Sequence, residues 1–226
     1  MRHLLGFFIL SLVKSFCHIF YRAEFHWITP KPQDVWRKTR MIALMNHTSL
    51  FEPLYIRAFT YTELWYLSAR LNVPGADITL NRPLVGLFWK MMFPNIASVS
   101  RKQDSTWTNY LKSIRPDSVI MMAPEGRMKR QNGLDKHGKK MTVRPGIVDI
   151  IEASPDGGLV LALSGGLHHV QRPGEPLPKF FKKLKMNLCY LDLKEYKASF
   201  EGSPRERKLK MVADLQRRLE NDCPAI

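Results

Sequence analysis

The chain has 226 residues, enough for one domain plus an appendage at about 150 residues per domain. With 45% apolar and 24% charged residues it is too apolar for a disordered chain and too charged for a multi-span membrane protein. Its 35 Lys and Arg against 20 Asp and Glu leave a formal net charge of +15, which attracts polyanions, either nucleic acid or an anionic membrane surface.

The first element is apolar. Residues 4–13 read LLGFFILSLV without a charge, Lys14 interrupts, and SFCHIFY resumes the run before Arg22. From Leu4 to Tyr21 there are 18 positions, or roughly 27 Å as a helix, near the minimum for crossing a bilayer core. A membrane-embedded or interfacial helix is the leading reading, supported by Tyr21, Trp27 and the surrounding basic residues. A helix packed on a globular core is the second reading. A cleaved signal is the third, and no small-x-small site follows the run to support it.

TPKPQD at 29–34 contains two prolines and reads as a linker, so the expected boundary falls between a membrane-associating segment at 1–34 and a domain at 35–226. Within the domain, MIALM (41–45), IASVS (96–100), SVIMMA (118–123) and LVLAL (159–163) are strand candidates. Helix-like stretches lie around 53–60, 82–93, 104–114 and 145–153. The strands are continuous apolar runs, as in a sheet covered on both faces. The predicted fold is therefore α/β, a mostly parallel central sheet flanked by helices. A last helix opens at Ser203-Pro204-Arg205-Glu206, a capping box with proline in the first turn. Leu209, Val212, Leu215 and Leu219 give it an apolar face, and its basic outer face reads as solvated surface.

Polar residues follow the strands directly. MIALM is followed by Asn46-His47-Thr48-Ser49-Leu50-Phe51-Glu52-Pro53, IASVS by Arg101-Lys102, SVIMMA by Pro124-Glu125-Gly126-Arg127, and LVLAL by Ser164-Gly165-Gly166. In an open parallel sheet these loops converge at one edge, where ligands bind. His47 and Glu52, about 140° apart on a continuous helix, can meet only if the chain turns between them. Ser49 and Glu52 could instead form a capping box, but Pro53 has no amide to bond back to Ser49, so a helix starting at Pro53 leaves Glu52 free for the imidazole. Such a dyad suits general-base chemistry. Ser49 lacks a nucleophile elbow. Arg101 and Arg127 suit phosphate binding, whereas Lys129 and Arg130 lean towards solvated surface. His168-His169 has no metal-partner pattern. The three cysteines form no C-x-x-C pair, which favours a reduced, cytoplasm-facing protein without a zinc site.

Asn-His-x-Ser-x-x-Glu-Pro followed by Pro-Glu-Gly resembles the glycerolphosphate and lysophosphatidic acid acyltransferase family over roughly residues 40–165. The resemblance implies His47 as general base, with Glu52 as its orienting acid. It implies Arg101 as the block-two arginine for acceptor phosphate, and Glu125 and Gly126, with Arg127 beside them, at the acceptor site. Glu52 replaces the usual Asp of block one, as related lipid A late acyltransferases also allow. Block three reads Pro-Glu-Gly-Arg-Met, which puts Arg127 one position early, and LVLALSGG replaces the apolar fourth block ending in proline.

The expected function is a membrane-associated O-acyltransferase of phospholipid biosynthesis on the cytoplasmic face. It would use acyl-CoA or acyl-carrier protein as donor, a lysophospholipid such as lysophosphatidic acid as acceptor, and no cofactor or metal. The expected partners are these substrates and an anionic membrane surface. A non-catalytic lipid-binding scaffold on the same fold is the alternative. Nucleic-acid binding is not expected, because no zinc spacing or recognition motif accompanies the charge.

Overall fold

The computed structural model describes residues 2–100, 104–175 and 177–226. Helix α1 (Arg2–Phe20) leads into β1 (Arg22–Trp27), and an irregular connection through residues 29–34 precedes α2 (Val35–Lys38) and β2 (Thr39–Met45). A 3-10 helix (Glu52–Ala58) and α3 (Tyr61–Ser68) follow, then β3 (Leu71–Ala76), α4 (Asp77–Leu80), α5 (Pro83–Met92) and β4 (Asn95–Val99). The second half runs α6 (Ser105–Lys112), β5 (Val119–Met122), α7 (Gly146–Ala153), β6 (Gly158–Ser164), β7 (Lys183–Asp192), α8 (Leu193–Ala198) and α9 (Pro204–Asn221).

The described residues form a seven-stranded sheet in the order β1-β7-β6-β2-β5-β3-β4. Five strands from β6 to β4 run parallel, and β7 reverses against β6, with β1 beside it. The α/β class and the four apolar strands expected from the sequence are present. β6 is buried along its whole length, because layers cover both faces of the sheet.

Side chains of β2 alternate between two cores. Ile42 packs with Leu10, Leu64, Leu67 and Met92 beneath α1, α3 and α5, while Met41, Ala43 and Met45 pack with Ile147, Ile150 and Leu215 beneath α7 and α9. Strand β1, ahead of the 29–34 segment, pairs in parallel with β7 from Arg22↔Lys183 to Trp27↔Leu188.

Three strands were absent from the sequence expectation. β1 and β7 alternate polar and apolar residues near the sheet edge, and their runs are not continuous. β3 contains Pro74, yet its pairing with β5 ends at Asn72, so the missing amide faces no partner there.

Helix α9 starts as expected, with Ser203 Oγ accepting from the Glu206 amide and Glu206 accepting in return from the Ser203 amide. Its packed face is centred on Met211 and Leu215, and Leu209 is exposed. Leu209 precedes Met211 by two residues, about 200° around the helix. Arg207 and Lys208 pair with Glu152 and Asp149 of α7, so part of the basic face is used inside the fold.

Helix α1 lies along the body. Gly6, Leu10, Lys14 and Cys17 turn inward, and Leu4, Leu5, Phe8, Leu12, Phe16 and Ile19 are exposed. A side chain on Gly6 would meet the Met92 carbonyl and the Pro94 ring at 3.1 Å, so glycine sets the closeness of α1 to α5.

Candidate active site

Because β2, β5 and β6 are parallel, their carboxyl ends deliver residues 46–52, 124–127 and 164–166 to one edge. Asn46 ends β2 in a left-handed conformation (φ 64), which Asn tolerates better than most residues. Its amide donates to Glu125 Oε1 at 2.7 Å, and its side-chain Nδ2 donates to the Ser164 carbonyl at 2.8 Å. The His47 amide donates to the same Glu125 oxygen at 3.4 Å. Strands β5 and β6 thereby fix the turn that presents His47.

The imidazole Nδ1 lies 2.6 Å from Glu52 Oε2, with side-chain exposures of 19% and 7%. Glu52 Oε1 accepts from the Thr48 amide at 3.0 Å. Ser49 does not cap the following helix. Its Oγ accepts from the Phe51 amide and donates to Gln171 Oε1, and the 3-10 helix begins at Glu52 with Pro53 behind it. Burial works against charge on His47, but Glu52 beside the ring and Glu125 behind it outweigh this and raise its pKa above the ordinary value. Burial also pushes the Glu125 carboxyl up, and the Glu52 charge adds to that. Glu125 Oε2 is buried without a hydrogen-bond partner among the described residues.

His47 and Glu52 line a cavity of about 510 Å³. Its wall is mainly apolar, with Ile42 and Leu44 from β2, Leu67 from α3, Met92 from α5 and Leu10 from α1. Exposed Ile78, Arg82, Gly126, Arg130 and Lys136 also line it. A mainly apolar cavity with a few polar groups is suited to a hydrocarbon chain bearing one reactive group.

The other sequence-derived candidates divide. Gly126 adopts a left-handed conformation (φ 67) and lines the cavity. Glu125 is turned away from the cavity towards the backbone of Asn46 and His47. Arg127 lines the cavity, and its guanidinium pairs with buried Asp135. Arg101 lies outside the described residues. His168 and His169 each contact a backbone carbonyl, of Lys129 and Lys183 respectively, and no metal-binding group of His, Cys, Asp or Glu occurs among the described residues.

Sequence reasoning missed Asn46 as the turn residue, Asp135 as the partner of Arg127, and the Tyr55 hydroxyl 2.7 Å from Ser164 Oγ. An Asn directly after an apolar strand and an Asp three residues before Gly138 are turn signals that could have marked the first two. Nothing in the pattern distinguishes Tyr55.

A family model described as Acyltransferase matches residues 24–163, more than half of the chain. Among solved structures the chain is similar to PlsC from Thermotoga maritima, described as a 1-acyl-sn-glycerophosphate (LPA) acyltransferase. The identity is 14% and the TM-score 0.52, over 94% of this chain and 80% of that one. No match was found among curated proteins.

Proposed function

The chain belongs to the Acyltransferase family, and on that premise we propose that it transfers a fatty acyl group to a hydroxyl of a lysophospholipid, lysophosphatidic acid being the leading acceptor. The donor is an acyl thioester, acyl-CoA or acyl-carrier protein. The observation that carries this reading is the His47–Glu52 pair in the wall of the apolar cavity.

The chemistry follows from that placement. Glu52 holds Nδ1 and favours the tautomer with its proton there, which leaves Nε2 as the base. Nε2 takes the proton from the acceptor hydroxyl as the oxygen attacks the thioester carbonyl. The C–S bond then breaks, and the departing thiolate receives the proton from the imidazolium. No covalent acyl-enzyme is needed, in keeping with Ser49, which is buried and engaged with Gln171.

The enzyme works at a membrane on its cytoplasmic side. The exposed row from Leu4 to Ile19 on α1, together with Leu84, Leu87 and Phe88 on α5, offers a lipid-facing surface. With its opposite face packed on the body, α1 is suited to lie in the interface. The net charge of +15 favours anionic head groups, and free thiols at Cys17, Cys189 and Cys223 suit a reducing compartment.

The deciding experiment is thiol release from acyl-CoA or acyl-carrier protein with lysophosphatidic acid, glycerol 3-phosphate or neutral lysolipids, comparing wild type with His47→Ala. Acceptor-dependent release that disappears in the variant is the expected result. Full activity without the imidazole would end the general-base mechanism.

A further inference from the structure

We propose that the segment from Leu177 to Lys182, which leads into β7, is a second membrane contact, an aromatic and basic stretch that enters the interface of an anionic bilayer. It comes from the opposite end of the chain to α1 and lies against the last turn of that helix. The assignment rests on the membrane reading of α1 and adds a contact that reading does not contain.

Leu177 and Phe181 are each 75% exposed, and Phe180 is 44% exposed. Single apolar side chains on a surface are ordinary, but three large ones within five residues form a patch that calls for a partner. Phe180 joins the patch to α1. Its ring centroid lies 5.1 Å from that of Phe20, 6.0 Å from Phe16 and 6.4 Å from Tyr21, and the Phe181 ring lies 5.9 Å from Phe20. Phe16 and Ile19 are themselves exposed, so the patch continues the outward row of α1.

The segment is held in place. The Lys179 amide donates to the Val170 carbonyl at 2.8 Å and the Phe181 amide to the Phe20 carbonyl at 2.7 Å. The Arg22 amide of β1 donates to the Lys182 carbonyl at 3.2 Å. Phe181 adopts a left-handed backbone (φ 60), which is costly for a bulky side chain and free for glycine. The fold therefore keeps strain at a residue whose ring it leaves largely in water. Strain retained where it returns little packing is a mark of a functional segment.

Charge selects the partner. Lys179, Lys182 and Lys183 flank the two phenylalanines. Lys179 pairs with Glu175 at 3.7 Å and Lys183 with Glu24 at 2.7 Å. Lys182 and its backbone neighbour Arg22 are exposed and have no ion pair among the described residues. Aromatic rings at head-group depth beside Lys and Arg suit the surface of an anionic bilayer. A second copy of this chain would instead set one net charge of +15 against another.

The test is flotation of the full chain with phosphatidylglycerol or phosphatidylcholine vesicles. Leu177→Ser with Phe181→Gly should lower partitioning to phosphatidylglycerol vesicles about tenfold or more, with a melting temperature close to wild type. Leu177→Ser alone, which leaves the Phe181 backbone untouched, should give part of that loss. Lys182→Gln should cost about fivefold on phosphatidylglycerol and nothing on phosphatidylcholine. Wild-type partitioning in both the double variant and Leu177→Ser would overturn the contact. If Phe8→Asp with Leu12→Asp abolishes binding while the Leu177 and Phe181 variants keep it, the second contact falls and α1 stands. The reverse pattern sustains the second contact and removes α1. Light scattering without vesicles covers the rival occupant, because a wild-type dimer that becomes monomeric in the double variant would overturn the bilayer assignment. Binding is read without turnover, so none of these failures touches the acyltransferase chemistry.

Discussion

His47 and Glu52 are separated by four residues in sequence, yet Nδ1 and Oε2 are 2.6 Å apart. The contact depends on two breaks in regular structure, the left-handed Asn46 at the end of β2 and the 3-10 helix that begins at Glu52. A continuous α-helix would point the two side chains about 140° apart.

The raised pKa of His47 gives a pH prediction. The protonated ring cannot act as a base, so the acidic limb of kcat/KM should lie above the ordinary value of 6.5. Glu52→Gln removes the charge that supports the imidazolium, so that limb should move to lower pH while the plateau rate falls about 100-fold. An acidic limb that stays put in Glu52→Gln would show that another group titrates.

Glu125 should behave as a positioning residue. Glu125→Gln keeps an oxygen for the Asn46 and His47 amides, whereas Glu125→Ala leaves both without their acceptor. The alanine variant is expected to lose about 1–3 kcal/mol of stability and most of its turnover. The glutamine variant should keep KM for the acceptor. A selective rise in acceptor KM in the glutamine variant would return Glu125 to direct substrate binding.

The same residue carries a pH dependence of stability with a definite sign. Its folded pKa is raised, so the native state favours the protonated form, and stability from this group falls as pH rises through that elevated value. Melting temperatures of Glu125→Gln should therefore gain on wild type as pH rises across that window. Parallel curves at all pH values would contradict the raised pKa.

The exposed row on α1 predicts membrane binding. Phe8→Asp with Leu12→Asp removes two outward apolar side chains without touching the packed face of Gly6, Leu10 and Cys17. At about 1.5–3 kcal/mol for each buried apolar side chain, partitioning to anionic vesicles should drop more than tenfold while the melting temperature changes little. Sedimentation with vesicles equal to wild type would exclude α1 as the contact.

The α/β class was legible because the β2, β4, β5 and β6 segments are apolar runs ending in polar clusters, the pattern of a covered parallel sheet. The strands β1 and β7 were hidden because polar and apolar residues alternate along them, and β3 because Pro74 breaks its run. At the site, residue types were readable but their directions were not. Glu125 and Arg127 occupy the expected motif, yet one reaches back to the amides of residues 46 and 47, and the other pairs with Asp135, eight residues ahead. Nothing local in a sequence states which way a side chain at a strand end will turn.

Leu10 lines the cavity while Leu12, two positions on, faces outward, so α1 separates an exposed apolar row from an apolar space within. Any single-tailed detergent chosen to keep the exposed side in solution is matched in shape and polarity to the inner side as well. The purification medium is therefore expected to compete for the cavity, more strongly as its alkyl tail lengthens. Rates taken in a lipid disc, where tails are tethered in a bilayer, would be the ones that describe the enzyme alone.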